Sequence, residues 1–301
     1  NRANRRPKLY GSDNVVAADL RDCPALADGG PFETLNILDA DAYAALIDRY
    51  KIDSIFNLVA VLSATGEKNP QAAWKVNMGA LMNSLEIARQ YRCALFTPSS
   101  IGAFGGEFER DNTPQDVVMQ PDTVYGICKV TGELLGNYYH SRFGVDTRSV
   151  RFPGIISNVT LPGGGTTDYA VEIYYEAVKK QHYTCAIPSD VYMDMMYMPD
   201  ALRAVVELME ADPAKLHHRN SFNIASMSFT PEIIAAEIRR HIPSFEIDYD
   251  IDPVKEAIAR SWPNKLDDTC AREEWGWKPE WDLKRMTVDM LVAVRRKLGM
   301  E

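Results

Sequence analysis

Cys93-Ala-Leu-Phe-Thr-Pro-Ser-Ser100, Tyr125-Gly-Ile-Cys-Lys129 and Asp146-Thr-Arg-Ser-Val-Arg-Phe-Pro153 decide the fold. The first reads as a short buried strand ending in two hydroxyls. The second opens a helical stretch over residues 129–143, and the third reads as another strand. Strand, helix, strand puts loop residues at the carboxyl ends of parallel strands, where α/β folds bind ligands. Tyr125 and Lys129 are four apart, so on a helix they share one face about one turn from each other. An ammonium beside a phenol favours the phenolate, and a phenolate takes a proton from an alcohol. A serine hydroxyl at the strand end, Ser100 with Ser99 beside it, can hold the same alcohol oxygen. Together these groups suit alcohol oxidation with hydride transfer to a nicotinamide. The Tyr-x-x-x-Lys spacing alone is met equally by an exposed i,i+4 pair; the flanking strands give it chemical meaning.

Working outward, the same alternation continues on both sides. Asn14-Val-Val-Ala-Ala-Asp19 reads as a strand ending in a carboxylate, after what looks like the tail of a helix over residues 1–10. Thr34-Leu-Asn-Ile-Leu-Asp39 reads as a further strand, 41–50 as an amphipathic helix, Ser54-Ile-Phe-Asn-Leu-Val-Ala60 as a buried strand, 60–69 as a loop and 71–92 as a long helix. Apolar strands alternating with helices of 10 to 20 residues predict a doubly wound parallel sheet of the Rossmann type. An acidic residue ending its second strand binds adenosine ribose hydroxyls. Asp19 suits that role and would favour NAD over NADP; an ordinary turn Asp reads the same way locally.

Beyond Pro153 the texture changes. Leu161-Pro-Gly-Gly-Gly-Thr-Thr-Asp168 is a glycine-rich loop before a helix over 169–180. Thr166, Thr167 and Asp168 suit the N-cap region of that helix, or a clamp for a substrate carboxylate. No Lys-Ser/Thr pair follows the glycines, so this is not a P-loop. The sequence predicts a core strand over 191–198, a helix over 200–211, a strand over 221–225, a helix over 231–241 capped by Thr230, and a half-buried strand over 245–251. Ser261-Trp-Pro263 reads as core packing, with Trp262 closing a ligand pocket as the alternative.

Composition narrows the function class. The 301 residues are 46% hydrophobic with a formal net charge of −9, which argues against nucleic acid or an anionic membrane as partner. The cluster Arg2, Arg5, Arg6, Lys8 is short and reads as a solvated helix end. No apolar run reaches the ~18 residues of a membrane span. Five scattered cysteines without a C-x-x-C suit a reducing compartment and give no metal site. His217-His218 lies in a polar stretch and reads as surface.

With these residues in hand, the chain resembles an extended short-chain dehydrogenase of the nucleotide-sugar epimerase type, and more narrowly the short-chain L-threonine 3-dehydrogenases. The match is carried by Ser63-Ala-Thr-Gly-Glu67, Pro98-Ser-Ser-Ile-Gly-Ala-Phe-Gly105, Val124-Tyr-Gly-Ile-Cys-Lys129, Arg151-Phe-Pro-Gly-Ile-Ile-Ser157, Met195-Met-Tyr-Met198, Ser226-Met-Ser-Phe-Thr-Pro231 and Trp275-Gly-Trp277, and most narrowly by Gly-Gly-Gly-Thr-Thr-Asp-Tyr-Ala170 and Ser261-Trp-Pro263. The resemblance implies Tyr125 as base, Lys129 as its ribose-binding partner and Ser100 as the group holding the reacting hydroxyl. It implies Ser63, Ser99, Thr166, Thr167 and Asp168 at the substrate. It implies an NAD site along Asp19, Leu20, Asn36, Leu58, Ala60, Asn77 and Ile155. Residues 1–156 would form the NAD-binding domain, rejoined by segments about 190–230, and 157–301 mainly a smaller substrate-binding α/β domain. A homodimer pairing through helices 71–92 and 129–143 is also implied, as is a small amino-acid substrate.

The resembled family opens with a strand and a Gly-x-x-Gly-x-x-Gly turn that this chain lacks, so a truncated start is expected. Localisation stays open, cytoplasmic for a bacterial protein and mitochondrial for a eukaryotic one. A nucleotide-sugar epimerase or dehydratase, and a non-catalytic truncated relative, are the alternative readings. Residues 157–175 contain no Arg or Lys for a diphosphate, which counts against the first of these.

Overall fold

The structure is a computed structural model that describes residues 10–23, 30–159, 161, 163 and 165–300. The helix tail expected over 1–10 and its basic cluster lie, apart from Tyr10, outside the described residues, as do Pro162 and Gly164 of the glycine-rich loop.

Parallel strands dominate. Ser54–Phe56, Ala94–Phe96 and Thr147–Arg148 form one ladder, in that order. Past Pro98, which has no N–H to donate, the second and third strands continue as Ser99–Ser100 and Val150–Phe152, and Phe222–Asn223 joins beyond them. Ala17–Asp19 pairs in parallel with Phe32–Thr34. Helices cover both faces. Ala40–Tyr50, Pro70–Tyr91 and Val124–Phe143 bury Ile47, Leu81, Leu85 and Tyr139 with Ile55 and Leu95 of the sheet. On the other face Met198–Glu210 and Thr269–Trp275 pack Val205, Leu208 and Ala271 against Phe96, Val150 and Phe222. This is an α/β fold of Rossmann type.

Two further small sheets follow. Gly154–Ile156 pairs in parallel with Met193–Tyr197, which pairs antiparallel with Met227–Phe229. His182–Cys185 pairs in parallel with Glu246–Tyr249. Helices Tyr169–Lys180, Pro231–Arg239 and Leu283–Leu298 enclose the core around Ile173, Tyr174, Met193, Ile238 and Met290. Among the described residues, no helix is long and apolar enough to cross a membrane.

Two expectations need correction. The strand expected over 34–39 is instead Phe32–Thr34. Asn36 Oδ1 accepts from Leu38 N at 3.1 Å, a local turn that ends the strand, and Asp39 then caps the helix through Ala42 N. The loop expected over 60–69 contains a helix, Ser63–Lys68, although its Ser, Thr and Gly favour none. Tertiary contact supplies the drive: Glu67 Oε1 accepts from Val124 N at 2.9 Å.

Candidate active site

Tyr125 lies in the first turn of helix Val124–Phe143. Thr123 caps that turn through Gly126 N, and Glu67 takes the Val124 N–H, so two of the helix's orphan donors are satisfied and its start is fixed. Ser100 ends its strand and caps the short turn Ile101–Ala103, its Oγ accepting from Gly102 N at 3.1 Å. Both side chains converge on Gly102. A Cβ there would sit 3.2 Å from two Tyr125 ring carbons and 3.5 Å from Ser100 Oγ. Gly126 makes the approach possible, since a Cβ on it would lie 2.1 Å from the Gly102 carbonyl oxygen. Lys129 follows one turn on, its Nζ 5.2 Å from the Tyr125 ring centroid and 2.6 Å from the Pro98 carbonyl oxygen, to which it donates. Tyr125, Lys129 and Ser100 are thus brought together by one helix start and one strand end.

Ser99 faces away from Ser100. Adjacent strand residues point to opposite faces, and Ser99 turns into the core, donating to Glu133 Oε1 at 2.5 Å. Glu133, one more turn beyond Lys129, is bound by Arg151 through Nε and Nη2, the closest contact 2.8 Å. Arg151 also donates to the Gln115 carbonyl at 2.6 Å and to Asn223 Oδ1 at 3.0 Å. The buried pair is therefore hydrogen-bonded on both sides, the condition under which such a pair is tolerated. The sequence reading passed over Glu133, Arg151, Gly102 and Gly126. Tyr125, Lys129 and Glu133 recur every fourth residue, a spacing that marks one helix face and was there to be read.

Ser63 opens the short helix Ser63–Lys68. Thr166, Thr167 and Asp168 form a single turn before helix Tyr169–Lys180. Thr166 is buried, and Thr167 packs on Gly154, where a Cβ would lie 2.7 Å from its Cγ2. Asp168 does not cap the helix; its Oδ2 accepts from Gly163 N at 2.8 Å and Gly165 N at 2.7 Å, closing the glycine loop on itself. Those N–H groups are thereby used by the chain's own carboxylate. Trp262, read as core packing with a pocket wall as the alternative, is 8% exposed and sits within the core beside helix Pro253–Ser261.

Of the residues expected along the cofactor, Asp19, Leu20, Asn36, Leu58 and Ala60 lie at the carboxyl ends of strands or in the loops just beyond, Asn77 lies in helix Pro70–Tyr91 and Ile155 in strand Gly154–Ile156. Asp19 is exposed at the end of its strand, its Oδ1 accepting from Arg21 N at 3.0 Å, and Leu20 is exposed beside it. Asn36 is engaged in its turn, Leu58 is exposed, and Ile155 is half-buried in its strand. Asn77 clasps Val61, accepting from its N–H at 2.7 Å and donating to its carbonyl at 3.1 Å, which shapes the loop past Ala60. Ala60, Asn77, Ser99 and Lys129 line one cavity of about 40 Å³, enough for ordered water. Thr97 also lines it, and its buried hydroxyl has no hydrogen-bond partner among the described residues. A carboxylate at one strand end, exposed apolar side chains at others, and an unpartnered hydroxyl near Lys129 fit a dinucleotide laid across the sheet.

A family model for the NAD-dependent epimerases and dehydratases matches residues 5–225. The chain belongs to this family. An uncharacterized epimerase/dehydratase of Staphylococcus haemolyticus is 54% identical over 294 residues, covering 96% of this chain and 92% of the relative. Among solved structures, an L-threonine dehydrogenase from Clostridium difficile superposes with a TM-score of 0.96 at 50% identity, covering 99% of this chain and 94% of that one. The holo form of a GalE-like L-threonine dehydrogenase from Cupriavidus necator gives a TM-score of 0.94 at 49% identity, over 97% of this chain and 94% of that one. Family membership makes the protein an enzyme of the NAD-dependent epimerase/dehydratase type.

Proposed function

We propose that the protein oxidises the 3-hydroxyl of L-threonine to 2-amino-3-ketobutyrate. The observation that carries this reading is the convergence of the Tyr125 ring and the Ser100 hydroxyl on Gly102, with Lys129 one turn away, in a chain so similar to L-threonine dehydrogenases. Ser100 holds the substrate hydroxyl, and Tyr125 takes its proton with the Lys129 ammonium close by. NAD, when bound along Asp19, Leu20, Asn36, Leu58, Ala60, Asn77 and Ile155, supplies the hydride acceptor. Thr166 to Asp168 receive the amino-acid head group, Asp168 facing its ammonium. Absence of Arg and Lys from 157–175 supports this over a nucleotide diphosphate substrate.

In the same reading residues 1–156 carry the cofactor and 157–301 mainly the substrate. The working unit is a homodimer, supported by Trp74, Met82, Ile127, Leu134 and Tyr138, which helices Pro70–Tyr91 and Val124–Phe143 leave exposed.

The test is NADH formation by the full-length protein with NAD and L-threonine, beside epimerisation of a UDP-sugar. Threonine-dependent NADH and a loss of about 10²–10⁴-fold in kcat for Tyr125→Phe are expected. Turnover of the nucleotide sugar without threonine activity overturns the substrate. Wild-type kcat in Tyr125→Phe overturns the base.

A further inference from the structure

The loop entering strand Phe222–Asn223 and the helix Thr269–Trp275 bring together three donor groups that lie far apart in the sequence. A ring nitrogen of His218, the Cys270 sulfur and a Glu274 carboxylate oxygen all lie within 4.8 Å of one another, each residue half-buried. Cys270 and Glu274 are one turn apart on the same helix and so face the same way. Glu274 is held from behind. Its Oε2 accepts from His217 N at 2.5 Å and His218 N at 3.1 Å, which turns Oε1 onto His218 Nδ1. On the far side of the imidazole, Nε2 stands 3.5 Å from Asp116. A carboxylate thus faces each ring nitrogen, and one that takes the Nε2 proton would orient the imidazole with Nδ1 toward an ion, as outer carboxylates do for metal-binding histidines. Burial, and then Glu274, Asp116, Asp267 and Glu273, push the Cys270 thiol up, so the surroundings are rich in negative charge.

We propose that His218 Nδ1, Cys270 Sγ and Glu274 Oε1 form a divalent-cation site, with Asp116 holding the imidazole as a positioning residue. A mixed sulfur, nitrogen and oxygen set suits zinc best. Three protein ligands leave a fourth position for water. On binding, the thiol gives its proton to solvent, and the His218–Glu274 contact opens to make room for the ion between them. Because His218 lies just before strand Phe222–Asn223, which runs parallel to its neighbour, the site lies at the amino ends of the strands, away from Tyr125. The ion is therefore a clamp between the helix Thr269–Trp275 and the loop feeding the sheet, with no part in the reaction.

Cobalt(II) is the probe, titrated into the full-length protein. The expected result is a thiolate-to-cobalt charge-transfer band in the near ultraviolet that saturates at one equivalent and is displaced by zinc. Cys270→Ser should lack the band. Asp116→Asn should keep it with affinity about tenfold weaker. Zinc should raise the Tm of the wild type and not of His218→Ala. Absence of a saturable band, or its persistence in Cys270→Ser, overturns the proposal. Glu274→Gln is a second variant for the case that Cys270→Ser does not fold, and unchanged cobalt affinity in it also overturns the site.

Discussion

Replacing Gly126 by alanine adds one methyl group at the closest approach in the candidate site. That carbon would stand 2.1 Å from the Gly102 carbonyl oxygen and 2.6 Å from Pro121 Cβ. Ordinary contact begins at 3.4 Å, so the overlap with backbone exceeds an ångström and no rotamer relieves it. The helix start must move by about that amount, and Tyr125 moves with it. Overpacking of this kind costs about 1–3 kcal/mol of stability, and a displacement of ~1 Å at reacting groups costs on the order of 10²-fold in rate. Gly132 on the same helix is the control, because a Cβ there would meet only Leu81 Cδ2 at 3.4 Å. Gly132→Ala should be neutral or, given alanine's helix propensity, stabilising by up to ~1 kcal/mol. Urea unfolding and steady-state kinetics on both variants read the two effects separately. A Gly126→Ala protein with wild-type kcat/KM and wild-type stability would refute the claim that this contact sets the position of Tyr125.

Two further outcomes follow from buried ionisable groups. Burial lifts the Asp194 carboxyl from 3.8 to about 8, so the folded chain stays protonated while the unfolded chain ionises. Its contribution to stability is therefore present in acid and lost as pH rises from about 4 to about 8, by an amount on the order of a few kcal/mol. Asp194→Asn keeps an acceptor for Leu266 N, 2.8 Å from the carboxylate, and should flatten the fall in Tm between those limits; an unchanged slope would show the group to be ionised in the fold. Glu133→Leu strands the Arg151 guanidinium in the core and should cost about 3–5 kcal/mol in urea unfolding, whereas a loss under ~1 kcal/mol would mean that Arg151 finds other partners.

Local signals carried much of the architecture. The helix Tyr169–Lys180 ends where its periodicity does, and Thr230 caps Pro231–Arg239 as its hydroxyl and the following proline foretell. Ser100, Tyr125 and Lys129 were legible because strand end and helix face each leave a short-range pattern. What was missed depends on contacts between distant segments. Nothing near Ser63–Lys68 predicts that Glu67 takes up an N–H group 57 residues away. Ser99 and Ser100 look equivalent in sequence, and only their alternation across the sheet tells them apart. His218 reads as a surface residue until the fold delivers Cys270 and Glu274 beside it.

Three successive turns of one helix carry Tyr125, Lys129 and Glu133, and the last two are tied to the strand that ends in Ser100: Lys129 to the Pro98 carbonyl, Glu133 to Ser99. Turning the helix about its axis would break both ties together. The Tyr125 end of the candidate site is in that sense a fixed jig. Among the described residues the glycine loop is held by Asp168, which accepts from Gly163 and Gly165. For the substrate site proposed at Thr166–Asp168, directed evolution of scope would randomise residues 161–168 and leave the helix untouched.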